Sequence, residues 1–246
     1  MILIGTIHQD LEGPSRLESL IGRLQPKVLT IEAPANLAID QLAETLRVRR
    51  QLFERLSLSL KAPNFYKELV GETYKITGYD ILVPIDYARR QGIEVHAVDH
   101  PALAELIEKP VDEKAIVDMH NSYSAQLVKQ MRKQHVPVNK LTYAMIRPVI
   151  IQQTDRAYYD PHVFDNLSVP YTLQALDQLN RLFNDHQLSE EREQHLTEHI
   201  LALRSDVHVA GLAHVSEEYK GVLTVEPLYQ RLGEQVSQRI RLCDAI

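Results

Sequence analysis

Apolar residues in this chain follow two spacings. Short unbroken runs, rich in β-branched residues, occur at Ile2–Ile4, Lys27–Ile31, Glu94–Val98 and Val207–Ala210, each bounded by Gly, Pro or polar residues. Such runs predict strands buried in a sheet. Val222–Val225 is a fifth candidate. Between them the apolar positions recur at helical spacing. Ser15-x-x-Glu18 reads as a capping box opening a helix to Leu24. Leu37, Leu42, Leu46, Leu52, Phe53 and Leu56 mark a long helix from Ala35 to about Leu60. Tyr79–Arg90 is another, tilted or broken near Pro84 and stopped by Gly92. Strand, helix, strand at these intervals implies parallel pairing through right-handed crossovers.

The middle of the chain departs from this rhythm. From about Asp112 to Gln187 there is little strand pattern, and Asp112–Lys133, Leu141–Tyr158 and Tyr171–Asn184 read as helices. Turns fall around Pro137 and between Pro161 and Pro170. The expected fold is one α/β domain over 1–246. A central, mainly parallel sheet is flanked by helices, and a large helical insertion or cap at about 112–187 covers the carboxyl edge of the sheet. No tandem repeat with a period of 20–50 residues appears.

Composition narrows the function classes. A net charge of −6 argues against a nucleic-acid partner, whose binding needs a basic face. A single cysteine, Cys243, excludes an internal disulfide framework and a multi-cysteine metal site. The start, Met1-Ile2-Leu3-Ile4-Gly5, has no basic leader, and no stretch approaches the ~20 apolar residues of a membrane span. The expectation is a cytoplasmic protein with no membrane span, acting on a peptide or small-molecule substrate. A homodimer stays open.

Gly-x-x-His is the one internal echo. It occurs at Gly5–His8 and at Gly211–His214, each at the carboxyl end of a predicted strand. With 9 Gly and 11 His in 246 residues, about 0.4 such pairs would arise by chance. Open parallel sheets bind ligands at the carboxyl ends of their strands. Glycine lets the chain leave the strand in a conformation other residues avoid, and three residues on an imidazole can point over the edge. Glu32 ends the second predicted strand. It can cap the helix that follows, or it can join the histidines; two imidazoles and a carboxylate form a common divalent-metal shell. His8, Glu32 and His214 are therefore expected to converge. His195 and His199 stand at i, i+4 but lack the Glu of a His-Glu-x-x-His motif, and read as exposed helix positions. His96 reads as half-buried scaffold, and Arg156 to His162 lines a cleft or packs.

"LIGTIHQDLEGPSRLESLIGRLQPKVLTIE" resembles the opening of the TraB/PrgY/GumN family, related to the Tiki proteases and more distantly to the erythromycin esterase and ChaN folds. Gly5, Thr6, His8, Pro26 and Glu32 match its pattern, with Val28 one place early. Asp80 stands where the family has Glu, and His100 follows Asp99 where the family has Arg. Near the end, Glu191, Arg192, Gly211 and His214 match, with Glu193 at the place of an Asn or Asp. The likeness covers roughly Ile2–Pro101 and Ser189–Ser216. By itself "SEEREQ" is also the acidic first turn of a helix after Ser189. The resemblance implies a metal-dependent, metalloprotease-like hydrolase of peptide or ester bonds. His8, Glu32 and His214 would hold manganese or cobalt, or zinc. Asp80 or Glu191 would act as general base, and Arg192 would orient Glu32 or hold an anionic intermediate. The competing reading is a non-catalytic protein of the same fold that sequesters a peptide or binds haem.

Overall fold

The computed structural model describes residues 1–163, 186–219 and 225–245. Its centre is a five-stranded sheet in the order β3-β2-β4-β1-β5, with β1 at Ile2–Thr6, β2 at Val28–Pro34, β3 at Glu94–Asp99, β4 at Val207–Gly211 and β5 at Gln238–Arg241. Every pairing is parallel, so all five carboxyl ends lie along one edge. The chain is an α/β fold, as the alternation of strand and helix patterns implies. β4 lies between β1 and β2, which brings the two Gly-x-x-His strands side by side.

Helices cover both faces, and the period of two along each strand sorts the core. On one face, α1 (Gly13–Leu24) and α4 (Tyr79–Gln91) set Leu17, Leu20, Ile21, Leu82 and Ile85 against Ile4, Leu29, Ile31, Val207 and Val209. On the other, α8 (His186–Leu203) and α9 (Leu228–Leu232) set Leu196, Ile200, Leu228 and Leu232 against Leu3, Val98 and Ala210. Leu3 and Ile4 are adjacent, point to opposite faces and are both 0% exposed. Each such side chain contributes about 1.5–3 kcal/mol of burial. A one-residue slip in register would turn every one of them to the wrong side.

α2 (Ile39–Ser59), α3 (Asn64–Ile76), α5 (Ala104–Glu108), α6 (Glu113–Lys133) and α7 (Tyr143–Ala157) complete the described helices of at least five residues. The C-terminal half of α2, with α3, α6 and α7, gathers a satellite core of Phe53, Leu56, Phe65, Tyr66, Val70, Tyr74 and Ile116. The described part of the expected cap therefore packs largely on α2 and α3, and within it the end of α7 reaches the sheet edge. Among the described residues, no helix is long and apolar enough to cross a membrane.

Several local expectations need correcting. α1 starts at Gly13, with Glu12 at the N-cap and Pro14 in the first turn, so Ser15 is inside the helix and forms no capping box. α4 runs unbroken through Pro84. α8 is already helical at His186, ahead of the start expected after Ser189. α3 was not expected at all. The proposed helix Tyr171–Asn184, and all but the last residue of the proposed strand Val222–Val225, lie outside the described residues.

Candidate functional site

The carboxyl ends of four neighbouring strands each deliver a chemical group. β3 ends on Asp99, and Glu32 lies near the end of β2. β4 ends on Gly211, and a single 3-10 turn, Leu212–His214, follows it. β1 ends on Thr6, two residues before His8. The two glycines matter for space rather than for torsion. Gly211 has an ordinary φ of −59°, and Gly5 is not among the positive-φ residues, which corrects the expected reason for them. A Cβ on Gly5 would lie 2.8 Å from Leu212 Cδ1, so Gly5 lets the turn carrying His214 close onto β1. A Cβ on Gly211 would lie 3.4 Å from Glu32 Oε2, 3.8 Å from His214 Cδ2 and 3.9 Å from His8 Nε2. His8, Glu32 and His214 thus surround one point.

Each imidazole is backed by a carboxylate at its other nitrogen. Asp80 Oδ2 lies 2.7 Å from His8 Nδ1, and Glu193 Oε1 lies 2.7 Å from His214 Nδ1. The second contact has ion-pair distance without hydrogen-bond alignment, for Nδ1 of His214 and Oε2 of Glu193 make no hydrogen bond. His214 Nε2 faces Glu32 Oε1 at 3.3 Å. Glu32 Oε2 accepts the Gly211 N–H at 2.6 Å, and Oε1 pairs with Arg192 Nη2. Arg192 also makes a two-pronged contact to Asp99, with Nε to Oδ1 at 2.8 Å and Nη2 to Oδ2 at 2.7 Å. That fork geometry suits a planar guanidinium and not an ammonium. Asp80, Asp99, Arg192, Glu193 and His214 are all buried, whereas the His8 side chain is 64% exposed and gives the cluster its open side.

The cluster holds four carboxylates, Glu32, Asp80, Asp99 and Glu193, and one guanidinium, so it is short of positive charge. Both histidines respond. Asp80 pushes His8 up to about 9 against the effect of desolvation. Burial would lower His214, but Glu193 and Glu32 overcome it and push it up to about 10. Burial would raise Glu32, but His214 and Arg192 hold it well below the usual carboxylate range. Burial works against the Arg192 charge as well, and Asp99 and Glu32 secure it.

Of the candidates read from the sequence, His8, Glu32, Asp80, Arg192 and His214 are brought together. Glu191 is not: it is exposed, while the next two residues of α8 are buried. The carboxylate that α8 turns toward His214 is Glu193. Only the phase of the helix separates the two, and the acidic run "SEERE" conceals it. Asp99 was also missed, although it ends a strand just as Glu32 nearly does. His195 and His199 stack at 3.8 Å between ring centroids, and His199 Nδ1 faces the His195 carbonyl at 2.9 Å. His96 is half-buried beside Glu94. Tyr158 is buried beside the His8 loop, and Tyr159 is exposed. Among the described residues, no three His, Cys, Asp or Glu side chains are preset at metal-holding geometry. In comparisons with known proteins, no family model, no curated protein and no solved structure matches the chain.

Proposed function

We propose that the chain is a metal-dependent hydrolase of peptide or ester bonds, with His8, Glu32 and His214 as the ligands of a divalent ion. One observation carries the reading: the His8 and His214 rings lie on either side of one point beside Glu32, with His8 Nε2 and His214 Cδ2 each within 4 Å of it, His214 Nε2 faces Glu32 Oε1, and each ring has a buried carboxylate at Nδ1. Metal-binding histidines are characteristically backed in this way, because the carboxylate fixes the ring and raises its basicity. The charge deficit of the cluster also suits a cation. Glu32 is held by Arg192 and the Gly211 N–H, so the donor set fits an ion in its chemistry rather than as a rigid cage.

When bound, such an ion acidifies a water and polarises a carbonyl oxygen. The chain's own groups do the rest. His8 is the exposed member and meets the substrate. Asp80 keeps the His8 ring oriented. Arg192 fixes Glu32 and neutralises Asp99, so that neither carboxylate stands unpaired. Charged side chains surround both imidazoles, which supports hydrolysis over the apolar slot that haem requires. The resemblance to the TraB/PrgY/GumN family agrees with this reading. Manganese and cobalt are the first ions to supply, then zinc.

The test is metal stoichiometry of protein purified without a tag, beside cleavage of a peptide and ester library. His8→Ala and His214→Ala should each lower metal content and activity together. Wild-type metal binding in both variants would refute the ligand assignment. Tight binding of an uncleaved peptide by metal-loaded wild type would transfer the case to the sequestering protein.

A further inference from the structure

His8 is exposed, yet the backbone that carries it is not free. The peptide groups of Ile7, the residue before it, are held on both sides by tyrosines. The Ile7 N–H donates to Tyr158 Oη at 3.2 Å, and the Ile7 carbonyl accepts from Tyr79 Oη at 3.0 Å. Tyr158 in turn donates its proton to Asp10 Oδ2 at 3.1 Å. A hydroxyl has one proton to give, so these two bonds fix its direction: it accepts from Ile7 and donates to Asp10. Asp10 also accepts the Glu12 N–H at 2.9 Å and Arg16 Nη1 at 3.1 Å, and the same Arg16 nitrogen donates to Asp155 Oδ1 at 2.6 Å. Tyr79, Tyr158 and Asp10 are each 0% exposed.

The origins of these groups give the network its meaning. Tyr79 opens α4 immediately before Asp80, which holds the His8 ring. Asp155 lies in α7 and Tyr158 follows it, so both come from the helical insertion. Three links thus run from the α7 end of the insertion to the loop that carries His8, one through Tyr158, one through Asp155 and Arg16, and one from Arg147 to Glu12. We propose that Tyr158 is a positioning residue for His8, and that through it the helical insertion controls the geometry of the site. This rests on the reading of His8 as a functional group. In a buried network each bond is electrostatically strong, and an orphaned Ile7 N–H would have to find a new partner by moving the loop, while Asp10 keeps Arg16 and the Glu12 N–H.

Tyr158→Phe removes one oxygen and no carbon, so the apolar packing survives. The direct readout is the carbon and proton resonance of the His8 imidazole Cε1–H in metal-free protein at fixed pH, with the His214 resonance as internal reference. Tyr158→Phe should shift His8 and leave His214 in place, and should weaken zinc affinity about tenfold, the lower end of what loss of an outer contact costs a metal site. Tyr219→Phe is the control. Its hydroxyl donates to the Ala157 carbonyl at the same end of α7 rather than to Ile7 or Asp10. A purely structural role for Tyr158 would make the two variants alike, and equal His8 shifts in both would overturn the proposal. If Tyr158→Phe fails to fold, Asp155→Ala cuts the second, more exposed link and should move the His8 resonance alone. An unmoved His8 resonance in the folded variants also overturns the proposal. The resonance needs neither metal nor substrate, so a wild-type protein that binds no zinc would count against the hydrolase reading and not against this one.

Discussion

His214 at the sheet edge and His120 in the satellite core are both buried, at 4% and 0% exposed. Their chemistry is opposite. His120 lies between two hydroxyls, with Tyr66 Oη 3.0 Å from Nδ1 and Tyr74 Oη 2.6 Å from Nε2, and burial pushes it down to about 4. His214 meets two carboxylates and rises to about 10 despite the same burial. Desolvation opposes the charged form in both places; what differs is the charge of the partners. His208 shows how local the effect is. It sits in β4 only a few residues from His214, but its Nδ1 is 2.9 Å from Thr30 Oγ1, and burial brings it to about 4 although Glu32 favours its charged form. The satellite uses its polar groups to complete a neutral core. The sheet edge holds charge that only mutual pairing makes tolerable, an arrangement common where chemistry is done.

The largest expected effect tests that mutual pairing. Arg192→Ala leaves Asp99 and Glu32 without their buried cation, and breaking a buried pair from one side typically costs about 3–5 kcal/mol. Arg192→Lys should recover little, since an ammonium cannot make the two-pronged contact to Asp99. The reference is Arg47→Ala, which removes an ion pair to Asp86 with both side chains more than a third exposed; such pairs contribute about 0–1 kcal/mol. Urea denaturation of the three variants at neutral pH measures the contrast. Similar losses for Arg192→Ala and Arg47→Ala would mean that the sheet edge is not the electrostatically tense region described.

The next effect lies in the satellite and appears only in acid. His120 has its folded pKa near 4, below the ordinary value of 6.5. As pH falls the unfolded chain takes up the proton first, so this stability is fully present above about pH 6.5 and is lost as pH drops toward 4. Between pH 7 and pH 5 the loss is about 2 kcal/mol for one such histidine. His208 acts in the same direction. His120→Gln keeps a polar group between the tyrosines but cannot titrate, so its stability should fall by about 2 kcal/mol less than wild type over that interval. Identical pH slopes in urea titrations of the two proteins would remove His120 as the satellite's acid-sensitive group.

The sequence exposed these two regions unequally. β1, β2 and β4 were readable because central strands buried on both faces spell nearly continuous apolar runs, and β3, at one edge, was readable from the β-branched Val95 and Val98. β5 was not, because at the sheet's edge only Ile240 among its residues is buried, and Gln238-Arg239-Ile240-Arg241 carries too little pattern. The convergence of His8, Glu32 and His214 was legible from parallel topology, since strand ends in register must meet. Glu193 was not picked out, because nothing in an acidic run reveals which residue the helix turns inward, and Asp99 was passed over because a lone strand-end carboxylate does not announce that a buried arginine from a distant helix will pair with it. The tyrosine clamp on Ile7 was hidden for a different reason: it joins residues 151 positions apart through a backbone group, and a backbone group has no sequence signature.

The smallest effect compares the two regions through the starts of their helices. α6, in the satellite, has a true side-chain cap: Asp112 accepts the Ala115 N–H at 2.9 Å. α1, which leaves the His8 loop, has none, although Ser15 and Glu18 spell one. Its first turn is tied down instead by Asp10, which takes the Glu12 N–H on its side chain and the Gly13 N–H on its carbonyl, the latter at 2.8 Å. The loop that carries His8 and the start of α1 therefore share one anchor, whereas α6 is capped independently of anything else. Asp112→Ala should cost about 1 kcal/mol, the usual loss for a cap. Ser15→Ala should cost no more than a few tenths, since alanine is the better helix former at an interior position. Urea midpoints measured side by side at neutral pH decide it. A loss near 1 kcal/mol for Ser15→Ala would mean that the capping box forms after all, and that the His8 loop and α1 are not held by the same carboxylate.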